Sequence, residues 1–100
     1  MANTFKVLFR GAAATSSTTL YTVPAATTTL VSSIVITNTA ASNGTYTLLL
    51  NDISVATSVV VPANDSVILE LKQVVPTGQT IKGLASATSI NFHISGLEIT

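Results

Sequence analysis

Apolar and polar residues alternate with a period of two along almost the whole chain, the pattern of half-buried β-strands. Phe5, Val7 and Phe9 alternate with Lys6, Leu8 and Arg10, which predicts a first strand over residues 4–10. Residues 11–17 are small and polar and read as a mobile connector. A second strand, 18–23, is closed by Pro24, which has no N–H to give to a ladder. The longest run, 29–38, sets Leu30, Ile34 and Ile36 on one side and Val31, Ser33, Val35 and Thr37 on the other. Asn43-Gly44 offers the positive φ of a tight turn. Residues 45–50 return with Tyr46, Leu48 and Leu50 on one face, and Asn51-Asp52 is a second tight turn.

The strand over 53–61 ends at Pro62, and 66–72 turns Val67, Leu69 and Leu71 one way and Ile68, Glu70 and Lys72 the other. Strands over 79–85 and 89–99 finish the chain, with Ile90, Phe92 and Ile94 sharing a face. Gly96 interrupts the last alternation, and a bulge there is expected to swing Leu97 and Ile99 to the buried side. Eight short strands with turn signals about every 8–12 residues predict an all-β fold, a single antiparallel β-sandwich of jelly-roll or immunoglobulin-like Greek-key type. The expected organisation is an N-terminal strand or arm with its connector over 1–17 and a β-sandwich domain over 18–100.

Composition sharpens this. Val, Ile and Thr number 36 of the 100 residues, and branching at Cβ favours strands over helices. The 47% hydrophobic content can build one core, and the length fits one domain. Charged residues make up only 8%, against about 25% in ordinary soluble domains. The formal net charge is zero, with four cations, so neither nucleic acid nor an anionic membrane is an expected partner. No apolar run approaches the roughly 18 residues of a bilayer span, and Lys6 and Arg10 interrupt any N-terminal secretory signal.

Chemistry-bearing residues are sparse. Without cysteine there is no disulfide, thiolate site or thiol nucleophile. The single histidine, His93, faces opposite Phe92 and Ile94 and has no acid or nucleophile within reach along its strand, Glu98 being five positions on. No metal site, cofactor site or catalytic residue is expected. Asp52 and Asp65 sit in turns and suit Asx-type hydrogen bonds. Glu70 and Lys72 share a side of one strand, and Lys82 has no evident partner. Tyr21 and Tyr46 offer either core packing or a sugar-stacking face.

The outward strand positions carry Thr, Ser, Ala and some Val where a typical monomer carries Lys and Glu. Such a surface loses little on leaving water, so self-association and contact with other proteins are expected; a small neutral monomer is the other reading. The segment from Met1 is expected to pack on a neighbour or join a sheet. Phe5, Lys6, Val7, Phe9 and Arg10 are the candidate protein-interaction residues, either as an ordinary first strand or as an arm that augments a neighbour's sheet.

The runs Thr19-Leu20-Tyr21-Thr22-Val23-Pro24-Ala25 and Ser32-Ser33-Ile34-Val35-Ile36-Thr37-Asn38-Thr39 resemble small structural proteins of tailed bacteriophages, including cyanophages. Val61-Pro62-Ala63-Asn64, Thr77-Gly78-Gln79-Thr80-Ile81-Lys82 and Ile94-Ser95-Gly96-Leu97-Glu98-Ile99 look like the rest of that pattern, which covers residues 18–100. The resemblance implies a non-enzymatic virion component displayed as a homo-oligomer, with a trimer favoured. A capsid decoration or cement protein on the outer shell, bound to the major capsid protein or other virion proteins, is the leading expectation. A tail, fibre or baseplate module that binds a receptor or glycan is the alternative.

Overall fold

A computed structural model describes residues 2–100, so the expectation for Met1 lies outside the described residues. The chain forms β1 (Asn3–Ala12), β2 (Thr18–Thr22), β3 (Thr28–Asn38), β4 (Gly44–Leu50), β5 (Ile53–Val61), β6 (Ser66–Val75), β7 (Thr80–Ala85) and β8 (Ile90–Ile99), with no helix among the described residues. They make two four-stranded antiparallel sheets, ordered β1-β8-β3-β6 and β2-β7-β4-β5. Strands pair as β1 with β8, β2 with β7, β3 with β6 and β4 with β5, so the chain is one long hairpin folded back on itself. Its tip is Asn51-Asp52, whose φ values of 51° and 62° suit a two-residue hairpin turn.

The two sheets share one core. Ile34, Ile36, Ile90, Phe92 and Ile94 from the first sheet and Tyr46, Leu48 and Ile81 from the second are fully buried. Tyr46 and Phe92 meet edge to face, with ring centroids 6.4 Å apart and planes at 76°. The three Val-Pro pairs act as plugs: Val23, Val61 and Val75 are buried, and each following proline stops a strand. Asn38, also buried, ties a corner together: its amide donates to the carbonyls of Ser42 (2.8 Å) and Val61 (3.2 Å), and its Oδ1 accepts from the N–H of Ala40 (3.0 Å). Among the described residues no buried side-chain polar atom lacks a partner.

The segment set apart as 1–17 is largely part of this sheet. β1 pairs with the chain's own β8, and the N–H groups of Ala2 and Thr100 each donate to the other's carbonyl at 2.9 Å. The expected connector is correspondingly short. Gly11 and Ala12 lie in β1, Ala13 is buried and donates to Ile90, and Ala14 accepts from Ala85.

Three details of the period-two reading change. Gly44 does not have positive φ; it opens β4, and a Cβ there would lie 2.6 Å from Ile90 Cδ1, so the glycine admits a core side chain. The bulge expected at Gly96 is instead on both neighbours of β8. Register shifts occur between Val7 and Phe9 in β1 and between Val31 and Ser33 in β3, while β8 runs through Gly96 in step. A Cβ at Gly96 would lie 2.3 Å from the Leu30 carbonyl oxygen and 3.0 Å from Leu8 Cδ1, so the close approach of the bulged strands requires its absence.

Side chains change face in consequence. Val31, not Leu30, joins Ile34 and Ile36 in the core. Leu8 is buried and Phe9 packs against the core, whereas Phe5 and Val7 are exposed. Leu97 stays on the outer side beside them instead of swinging inward.

Gly96→Ala is expected to lower unfolding stability by about 1–3 kcal/mol through this overpacking. Gly11→Ala, whose added Cβ would make only ordinary contact with Phe9 at 3.4 Å, is expected to be neutral or stabilising by about 0.5 kcal/mol. Denaturant unfolding of the two variants checks both.

Candidate interaction surface

The register builds an apolar row across the outer face of the first sheet. Phe5 pairs with Leu97, Leu97 with Leu30, and Leu30 with Val74, one residue from each of the four strands. Phe5 is 89% exposed and Val74 61%, so the two ends of the row stand in water. A groove of about 410 Å³ runs along it, lined chiefly by Phe5, Val7, Leu30, Ser32, Ser95 and Leu97. Further along the same face Arg10, His93, Val35 and Ile68 form a second row, with Ile68 64% exposed. Exposed apolar side chains in such a contiguous patch mark a protein-contact surface more often than a random scatter does.

The five candidate interaction residues therefore divide. Phe5, Val7 and Arg10 face outward on this sheet. Phe9 packs on the core. Lys6 points toward the edge between the sheets, where its Nζ lies 3.4 Å from Glu98 Oε2. Glu98 also accepts a hydrogen bond from the Tyr21 hydroxyl, which is 3.0 Å from the buried Thr29 hydroxyl. Tyr21 belongs to the second sheet and Glu98, Thr29 and Lys6 to the first, so this cluster joins the two sheets at their β1/β2 edge.

A second apolar surface lies on β5, at the edge of the other sheet. Ile53, Val55, Val59 and Val60 are exposed, the strand carries no charged residue, and one of its two sides has no neighbour. Edge strands with this character are ready to meet another chain.

The remaining chemistry-bearing residues are isolated. His93 stands between Arg10 and Val35, with no carboxylate among its cross-strand partners. Asp65 accepts from the N–H of Ser66 at 2.8 Å, the turn role expected of it. Lys82 does have a partner: Asp52 at the hairpin tip lies 2.7 Å away, because β4 pairs with β7 and carries the turn to it. Among the described residues no three of His, Asp and Glu come together as a metal site would need. A polar hollow of about 370 Å³ between Thr37–Thr39 and Asn64–Ser66 is lined by groups already engaged in turn hydrogen bonds, Asn38 and Asp65 among them.

The chain matches no family model, no curated protein and no solved structure. What can be said of its activity rests on the surfaces just described.

The sequence pointed to the N-terminal residues but missed Leu30, Ile68, Val74 and Leu97, which complete the outer face. It also missed the Tyr21–Glu98–Lys6 cluster, whose members are far apart in the chain. The one signal in the sequence is Gly96 beside Leu97, and it marks the bulges of the two strands that flank β8, not a bulge in β8 itself.

Both tyrosines ionise above their ordinary value near 10. Burial is the main cause in Tyr21, reinforced by the hydrogen bond to Glu98 and its charge and opposed by Thr29; burial alone acts on Tyr46. The unfolded chain therefore releases these protons first, so their contribution holds below about pH 10 and is lost as pH climbs toward the raised native values. Denaturation midpoints measured across the alkaline range should fall there. Tyr21→Phe should show a shallower alkaline decline than the parent chain.

Proposed function

We propose that this chain is a non-enzymatic structural protein of a tailed-phage virion, a capsid decoration or cement protein that binds and stabilises the assembled shell. The fold we assign to it is a jelly-roll β-sandwich. Support for that topology comes from the nested pairing of β1 with β8, β2 with β7, β3 with β6 and β4 with β5, split over two four-stranded sheets. Jelly rolls of eight strands recur in viral capsid domains.

One observation carries the functional reading: a chain of zero net charge presents two separate apolar surfaces, the outer row from Phe5 to Val74 and the β5 edge. A decoration protein needs contacts both to its own copies and to the shell. Two largely apolar surfaces on different sheets supply both, at little desolvation cost. Its partners would be the major capsid protein or other virion proteins and further copies of itself. The mechanism is mechanical. Binding only assembled shell stabilises that state by mass action, and an edge strand such as β5 can add main-chain hydrogen bonds across a subunit junction.

The alternative, a glycan- or receptor-binding tail module, was drawn on Tyr21 and Tyr46. Tyr46 is fully buried, and the Tyr21 hydroxyl is engaged by Glu98 and Thr29. Tyr46 therefore presents no ring for stacking on a sugar, and Tyr21 is held half-buried against the core.

A density map of intact particles should place this chain on the outer shell, and particles stripped of it should lose their genome at a lower temperature. Density for the chain in the tail and none on the head would overturn the assignment.

A further inference from the structure

We infer that the outer face of the β1-β8-β3-β6 sheet is a contact between two copies of this chain, related by a twofold axis parallel to the strands. This stands independently of any role in a virion. The occupant follows from the face itself. Its apolar row is self-complementary: with β1 at one edge and β6 at the other, a twofold axis along the strands lays β1 of each copy over β6 of the other. Phe5 then meets Val74 of the second copy at the same level of the sheet, and the contact occurs twice.

The charges on this face fit the same arrangement. Arg10 stands on β1, while Glu70 and Lys72 stand on β6. Glu70 is level with Val7 and Ser95, one row from Arg10 and His93. Rows on one face of a strand are about 7 Å apart. A crossed Arg10–Glu70 pair on each side of the axis is therefore within side-chain reach. Lys72 sits at a backbone kink, φ 51°, on the rim of the sheet, where its ammonium keeps water. An axis perpendicular to the strands would instead set β1 over β1, put Phe5 over the polar end of the face and leave Arg10 without an acid.

The size is also adequate. Four strands about 4.8 Å apart, with about ten residues at roughly 3.3 Å each, give a face of roughly 600 Å² per copy. Two such faces exceed the ~1,000 Å² total expected of a specific interface. Two twisted sheets packed this way would cross at about 30°, the ordinary angle of aligned sheets.

The test is the mass of the purified full chain in solution, by light scattering and sedimentation over a range of concentration. A mass twice the 10.3 kDa of the chain is expected at high micromolar concentration. Phe5→Asp should weaken the pair at least about thirty-fold, because it sets an unpaired carboxylate against Val74 in both symmetry-related contacts. Arg10→Glu and Glu70→Arg should each weaken it, and the double exchange should restore it, with circular dichroism establishing that each variant is folded. These side chains are exposed, so the charge exchange remains informative if Phe5→Asp fails to fold. A monomer, a trimer, a pair indifferent to Phe5→Asp, or a double exchange that restores nothing would overturn the inference. Discovery of the chain outside the capsid would sink the proposed function and leave this pairing untouched.

Discussion

The missing side chain at Gly96 is the constraint on which the outer surface depends. β8 is an inner strand with a neighbour on each side, and each neighbour carries one extra residue close to that glycine. One extra residue shifts the side-chain phase of a strand by one, so everything beyond it changes face. In β1 the shift keeps Phe9 against the core and releases Phe5 and Val7 to the surface. In β3 it takes Val31 inward and sends Leu30 out. Leu97, next to Gly96 in an unshifted strand, falls between them. A regular sheet would have buried Phe5, Val7 and Leu30 with the other large apolar residues. The apolar row is thus a product of two bulges, and the bulges fit because Gly96 has no Cβ for the Leu30 carbonyl to strike.

This explains what was legible in the sequence. Strand number, strand limits to within three residues, the Asn51-Asp52 turn and the inward faces of β4, β6 and most of β8 follow from period-two alternation, which is a local signal. The face of Leu30, and of Phe5 relative to Phe9, was not legible. A bulge changes no residue type, and its cause lies on a strand some 60 residues away in the chain for Leu30 and some 90 for Phe5. The Lys82–Asp52 pair and the Lys6–Glu98–Tyr21 cluster were hidden for the same reason: they exist only once non-adjacent strands are in register. Phe5 stands out in the sequence as a candidate contact residue because it is a large apolar side chain in a chain poor in aromatics, and the structure leaves it exposed. The partners that make it part of a surface came only from the ladder.

The hydroxyl-rich composition has a structural counterpart. Thr29, the most enclosed of the threonines, turns its hydroxyl to Tyr21, and Thr77 binds both the N–H and the carbonyl of Thr27, closing the loops at one end. Hydroxyls here replace charges as the means of satisfying backbone and side-chain polar groups. They do so without the large desolvation cost that lysine or glutamate would impose if the surface were covered.

The few charges that remain are distributed unevenly. Four of the eight charged side chains are held in the pairs Lys6–Glu98 and Lys82–Asp52, which lie at strand edges and turns, and Asp65 is engaged in its own turn. Partly exposed pairs of this kind add little to stability, about 0–1 kcal/mol each. Their effect is to withdraw charge from the open surface. Arg10, Glu70 and Lys72 are left, and all three lie on the two edge strands, β1 and β6, of the sheet that carries the apolar row. Charges at the rim of an apolar contact set orientation and exclude wrong registers more than they add affinity. On a surface whose other residues are apolar, hydroxyl or amide side chains and the single His93, these three charges are what can distinguish one placement of a partner from another. An apolar row alone would tolerate sliding along the strands, and a cation on one edge with an acid on the opposite edge would not.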